Sequence, residues 1–230
     1  MWPFSKKDQQ MTAEELNRLM EEADAIWGSD SPDYRKLLKM YRRAAKQKNG
    51  VAACRAGMLY AAGKGTMTFY SKAVDYFRDA IDWKNEDAYN KLALMYDAGR
   101  GVAANSVSCA DLYRRGMDEG SLESINNLAY MYEYGRGMPA NFELARKLYE
   151  TAASIGVAVS MRHLGTIYEY GKGVDVDLEA AKHWYRQAAE KGDKRAKKYL
   201  EALENGQTPS HTDKDPEYAS IANILETTER

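Results

Sequence analysis

The chain has 230 residues, with 33 Lys and Arg against 34 Asp and Glu and a formal net charge of −1. That balance lacks the basic surplus or stripe of a nucleic-acid binder, and two cysteines, Cys54 and Cys109, do not make a disulfide framework. No apolar run is long enough to span a bilayer, so stable membrane insertion is not expected.

Residues 1–11 form an N-terminal tail in which Met1-Trp-Pro-Phe-Ser-Lys-Lys7 is aromatic and then basic. It is too short for the apolar core of a signal peptide. It reads either as a weak interfacial anchor, with Trp2 and Phe4 among headgroups and Lys6 and Lys7 on anionic lipid, or as a tail that is disordered or folds onto the first helix. Residues 12–50 read as a divergent N-terminal capping helix pair. Thr12 suits an N-cap with Glu15 as its capping-box partner, and Gly28-Ser-Asp-Ser-Pro32 ends the first helix. The second runs from Asp33 to Lys48.

Residues 51–194 carry four copies of one unit. Tyr60-Ala-Ala-Gly-Lys-Gly65, Tyr96-Asp-Ala-Gly-Arg-Gly101, Tyr132-Glu-Tyr-Gly-Arg-Gly137 and Tyr168-Glu-Tyr-Gly-Lys-Gly173 recur every 36 residues. A period of that length marks a stacked-helix solenoid. Further rows keep the register: Phe77, Tyr113, Tyr149, Tyr185; Ala73, Cys109, Ala145, Ala181; and Ala80, Gly116, Ala152, Ala188. Small residues permit close helix approach and the aromatic row supplies buried area. Met40-Tyr41 and Ala44-Ala45 stand in the same register, as a leading unit should. Each unit is predicted to be a first helix (A), a Gly-[Lys/Arg]-Gly loop, a second helix (B) and a turn at Gly120, Gly156 or Gly192. Glycine closes helix A in the left-handed conformation, and Asn105, Asn141 and Asp177 suit N-caps of helix B. The cations Lys64, Arg100, Arg136 and Lys172 are expected to cap the last carbonyls of helix A. An anion site in those loops is the competing reading, opposed by the helix dipole. Residues 195–204 read as a C-terminal capping helix, 205–215 as a linker, and 216–230 as a tail. In that tail Tyr218, Ile221, Ile224 and Leu225 would share one helix face, docked either in the groove or on the last cap.

These residues resemble the Sel1-like repeat family, a relative of the tetratricopeptide repeat. The pattern is fullest at Leu164-Gly165, Tyr168, Gly171-Lys172-Gly173-Val174, Ala180-Ala181, Trp184-Tyr185, Ala188-Ala189 and Gly192. The first copy departs from it, with Phe69 at the N-cap and Lys84 at the closing glycine. The resemblance implies an all-α, right-handed superhelical solenoid that binds proteins, often in bacteria. Secreted members carry a cysteine pair in each repeat, absent here, so a cytoplasmic location is expected. Cys109, in an alanine row, is expected to be a small buried thiol.

In such stacks the A helices line the concave face. The register puts three rows there: Cys54, Asn90, Asn126, Arg162; Met58, Leu94, Tyr130, Thr166; and Ala61, Asp97, Glu133, Glu169. The partner-binding candidates are Asn90, Leu94, Asp97, Asn126, Tyr130, Glu133, Arg162, Thr166 and Glu169. The three acids read either as a ridge toward a basic partner or as local pairs, Asp97 with Arg100, Glu133 with Arg136 and Glu169 with Lys172. His163, His183 and His211 lie at no recognisable nucleophile or metal spacing with either cysteine. No catalytic, cofactor or metal residue is therefore assigned. The expectation is a non-enzymatic adaptor holding a protein or peptide in its concave groove. An immunity or inhibitor protein that neutralises a toxin or effector is the alternative, and an enzyme subunit a remoter one.

Overall fold

The structure, a computed structural model, describes residues 10–209 and 211. The aromatic tail at Met1–Lys7 and the helix expected over 216–229 lie outside the described residues. Among those residues the regular elements are all helices: α1 (Ala13–Trp27), α2 (Tyr34–Ala45), α3 (Gly50–Ala62), α4 (Tyr70–Asp82), α5 (Asp87–Ala98), α6 (Ser106–Asp118), α7 (Leu122–Tyr134), α8 (Phe142–Ser154), α9 (Ala158–Tyr170), α10 (Leu178–Glu190) and α11 (Lys194–Glu204). They fall into two compact units, one whose described part ends at Ala104 and one that begins at Asn105. In the first unit α1 to α5 each pack on the next in order; in the second α6 to α11 do the same. Odd-numbered helices are the A helices of their repeats and even-numbered ones the B helices.

Local chemistry starts several helices where the sequence expects it. Thr12 and Glu15 form the reciprocal capping box, with Thr12 N–H donating to Glu15 at 2.8 Å and Glu15 N–H to Thr12 Oγ1 at 3.2 Å. Asn105, Asn141 and Asp177 each accept from the backbone N–H three residues on, at 2.9 Å. Phe69 leaves α4 without a side-chain cap. Lys84 takes the left-handed position (φ 62°) that Gly120, Gly156 and Gly192 hold in later repeats.

The predicted rows are the core. In the first unit Tyr41 and Phe77 are fully buried, as are Tyr113, Tyr149 and Tyr185 in the second. Each ring needs a small residue on the A helix facing it. A Cβ on Gly57 would stand 2.7 Å from the Phe77 ring, and one on Gly165 would stand 2.4 Å from the Tyr185 ring. Cys54 and Cys109 are free and buried. Because Cys109 shares its row with Ala145 and Ala181, both fully buried, Cys109→Ala is expected to cost less than about 1 kcal/mol in urea unfolding.

The Gly-x-Gly loops do two jobs. Gly63, Gly99, Gly135 and Gly171 adopt φ of 62–66° and cap the A helices. The second glycine sits against the start of the preceding B helix. A Cβ on Gly101 would lie 2.5 Å from Tyr70 O, and one on Gly137 would lie 2.3 Å from Ser106 O. The cation between the glycines caps with its backbone: Lys64, Arg100, Arg136 and Lys172 N–H each donate at 3.0 Å to a carbonyl five residues back. The Lys64 and Arg100 side chains reach outward instead, to the hydroxyls of Tyr34 (3.1 Å) and Tyr70 (2.7 Å), each also over that ring. At Lys64 and Arg100 the expected capping by the side chain therefore gives way to a contact with the preceding repeat.

Candidate functional site

In the second unit the glutamate row turns inward. Glu133, near the end of α7, is 3% exposed. Its carboxylate accepts from Tyr149 Oη of α8 at 2.9 Å and from Lys172 Nζ, in the loop after α9, at 2.6 Å. His163 Nδ1 of α9 stands 3.6 Å away, its ring stacked on Tyr149 with centroids 4.8 Å apart. Burial pushes the Glu133 carboxyl up, but the adjacent His163 ring and the Lys172 ammonium outweigh it and hold the pKa at about 2. Burial, reinforced by the Glu133 charge, raises the Tyr149 hydroxyl well above the usual range, so it stays a donor. This cluster clamps one repeat to the next. Arg136, the expected partner three residues on, does not supply the ion pair described at Glu133; the loop cation one repeat later does.

Glu169 repeats the arrangement at the last full repeat. It is also buried and accepts from Tyr185 Oη at 2.6 Å and from His211 Nε2 at 3.0 Å. Burial and the Glu169 contact raise the Tyr185 hydroxyl far above its ordinary value. Lys172, expected to pair with Glu169, is committed to Glu133.

Other candidates also have partners within the second unit. Arg162 pairs through Nε with Asp193 at 2.9 Å, both buried, and Asp193 also caps α11. Asn126 accepts from Ser160 Oγ at 2.7 Å, and Thr166 Oγ1 lies 3.1 Å from Tyr185 Oη. Tyr130 is half-buried, stacked on Tyr134 with centroids 4.4 Å apart and edge-on to His163. In the first unit Asn90 and Leu94 are buried and Asp97 is half-buried. Among the described residues no group of three or more His, Cys, Asp or Glu could hold a metal ion.

Two residues that sequence reasoning passed over stand out. Tyr134 and Tyr170 end α7 and α9 and are 49% and 46% exposed. Lys172 Nζ lies 5.2 Å over the Tyr134 ring. Their signal was the 36-residue spacing and a place just before the left-handed glycine, where an A helix ends and its last side chain escapes the stack.

A family model described as the Sel1 repeat matches residues 28–49, 50–82, 86–121, 122–157 and 158–193. The chain belongs to the Sel1 repeat family. The first match covers the divergent leading unit that Tyr41 marks. A Sel1 repeat protein from Oxalobacter formigenes is similar in structure, with a TM-score of 0.74 and 24% identity over 95% of this chain and 91% of that one. A protective antigen of uropathogenic Escherichia coli with an SLR fold gives 0.70 at 25% identity; the match covers 93% of this chain but only 46% of the antigen. The immunity protein Pa5087 from Pseudomonas aeruginosa gives 0.58 at 18% identity, covering 96% of this chain and 82% of that one, a likeness of fold alone. No curated protein matches the chain. The Sel1 chain is thus an all-helical solenoid of a kind typical of protein-interaction modules. Among the described residues no helix is long and apolar enough to cross a membrane.

Proposed function

We propose that this Sel1 protein is a non-enzymatic binding module for another protein or peptide, and that the A-helix face of the second unit holds the contact. The observation that carries this reading is the exposed pair Tyr134 and Tyr170, set one repeat apart. Tyrosine combines large apolar area with a polar tip at low entropic cost and is enriched in interface hot spots. Tyr130 backs Tyr134 by stacking, and Lys172, held by the buried Glu133, lies over its ring. Asn126, Thr166, Arg162 and Glu169 belong to the same two helices, α7 and α9. In the first unit Asn90, Leu94 and Asp97 hold the equivalent register. A location in the cytoplasm and a basic character for the partner remain part of the proposal.

Quantitative affinity capture from the native host tests it. Tyr134→Ala with Tyr170→Ala should reduce recovery of the specific prey at least tenfold, about 1–2 kcal/mol for an aromatic anchor. Lys147→Ala, on the exposed side of α8, should leave recovery unchanged. Full recovery with the folded tyrosine variant would remove this face as the site. A second reading makes the partner a toxin or effector. The structures of Pa5087 and of immunity protein PA5088, the latter matching over 99% of this chain, show that the fold serves immunity proteins. Protection of a toxin-exposed host by this chain, lost in the tyrosine variant, would establish that reading.

A further inference from the structure

Inside the stack, Lys172 makes two contacts with the repeat before it: its ammonium bonds Glu133 and lies over the ring of Tyr134. One repeat later the equivalents are Glu169 and Tyr170, and no further Gly-Lys-Gly loop follows them. The residue 36 beyond Lys172 is Thr208. His211 makes both contacts instead, with Nε2 3.0 Å from Glu169 and its ring 5.1 Å from that of Tyr170. It also packs 4.3 Å from the Tyr199 ring of α11. Tyr199 stands where His163 stands one repeat earlier, edge-on to Tyr185. The chain after α11 thus crosses exposed residues 205–208, buries Pro209 and sets His211 against α9 and α11. It stands in for the loop of a missing next repeat.

We propose that the C-terminal segment, residues 212–230, covers the open end of the last repeat, beside Tyr170 and α11, anchored there by His211. Nineteen residues follow His211 from a point already against α9 and α11. That end offers apolar surface still partly open: Tyr170 is half-exposed, and Leu200 and Leu203, one repeat on from the buried Leu164 and Ile167, are only partly buried against the core. The segment offers Tyr218, Ile221, Ile224 and Leu225 at helical spacing. Charge matches as well. The segment carries five acids against two bases, while α11 begins with Lys194, Arg195, Lys197 and Lys198. Capping of a solenoid end by a segment with a polar outer side keeps the last repeat from exposing its stacking surface. Because Tyr170 also belongs to the proposed binding face, a partner there would have to displace the segment. That consequence rests on the functional reading above; the occupancy does not.

The test uses the full chain without any partner. Amides of residues 218–225 should exchange with deuterium at least tenfold more slowly than in a free synthetic peptide of residues 212–230. His211→Ala and Leu225→Asp, neither in the repeat core, should each abolish that protection. A nitroxide on Ser220→Cys should broaden the Tyr170 and Leu203 signals within the same molecule. Exchange at the peptide's rate, or protection that both variants leave intact, would overturn the proposal. Broadening elsewhere only would do the same. Broadening seen only when nitroxide-bearing chains are mixed with isotope-labelled unmodified chains would assign the face to a second copy.

Discussion

Glu133→Ala is expected to lower the stability of the second unit by about 3–5 kcal/mol, the cost of removing one partner from a buried ion pair. The Lys172 ammonium and the Tyr149 hydroxyl would lose their shared acceptor, and α7, α8 and the loop after α9 would lose their common tie. The same carboxylate sets an acid dependence. Its pKa falls from 4.5 to about 2 on folding, so the unfolded chain takes up the proton first. The stabilisation is complete above pH 4.5 and is lost as the pH falls toward 2, by a total on the order of 3 kcal/mol. Urea unfolding at pH 7 and at pH 3 checks both points: the parent should weaken in acid, and Glu133→Gln should weaken less. Equal acid sensitivity in parent and variant would place the charge dependence elsewhere.

Gly137→Ala is expected to do comparable damage by a different route. Gly137 has φ 71°, and an added Cβ would stand 2.3 Å from Ser106 O and 2.9 Å from Val107 N, all backbone of the first turn of α6. The left-handed conformation costs an L-residue about 1–2 kcal/mol, and relieving the overlap means parting the loop from α6, a further 1–3 kcal/mol or so. A loss of about 3 kcal/mol in urea unfolding is expected. Gly120→Ala, with φ 94° but nothing within 4 Å of the new Cβ, isolates the conformational part and should cost distinctly less. Equal losses would mean that the loop does not press on α6.

The repeat architecture was legible because buried side chains in a stack must recur with the stack. Tyr113, Tyr149 and Tyr185 declare a core row by spacing alone, and Asn105, Asn141 and Asp177 declare caps by chemistry. The direction of the acid row was not legible in that way, since a stripe of acids at helical spacing reads the same toward solvent or toward hydroxyls. One sequence signal did bear on it. The residue sixteen after Glu133 is Tyr149 and after Glu169 Tyr185, whereas sixteen after Ala61 stands Phe77, which has no hydroxyl. At both glutamates the acid accepts from the buried hydroxyl at that spacing. The side chains of Lys64, Arg100 and Lys172 were not legible as they stand because their partners lie in the preceding repeat, Lys172 reaching 39 residues back to Glu133. Helix-capping rules consider only the helix at hand. Tyr134 and Tyr170 were passed over because they fall outside the three rows assigned to the groove, although both are exposed at the ends of their A helices.

The division of labour between buried glutamates and exposed tyrosines rests on the Lys172–Glu133 pair. A double-mutant cycle with Glu133→Gln, Lys172→Met and both together, read by urea unfolding at pH 7, measures it directly. A clamp between repeats predicts a coupling of at least about 1.5 kcal/mol, as for contacting buried partners. Losses that add to within about 0.5 kcal/mol would show two independent residues, and would return Glu133 to the list of groups free to meet a partner.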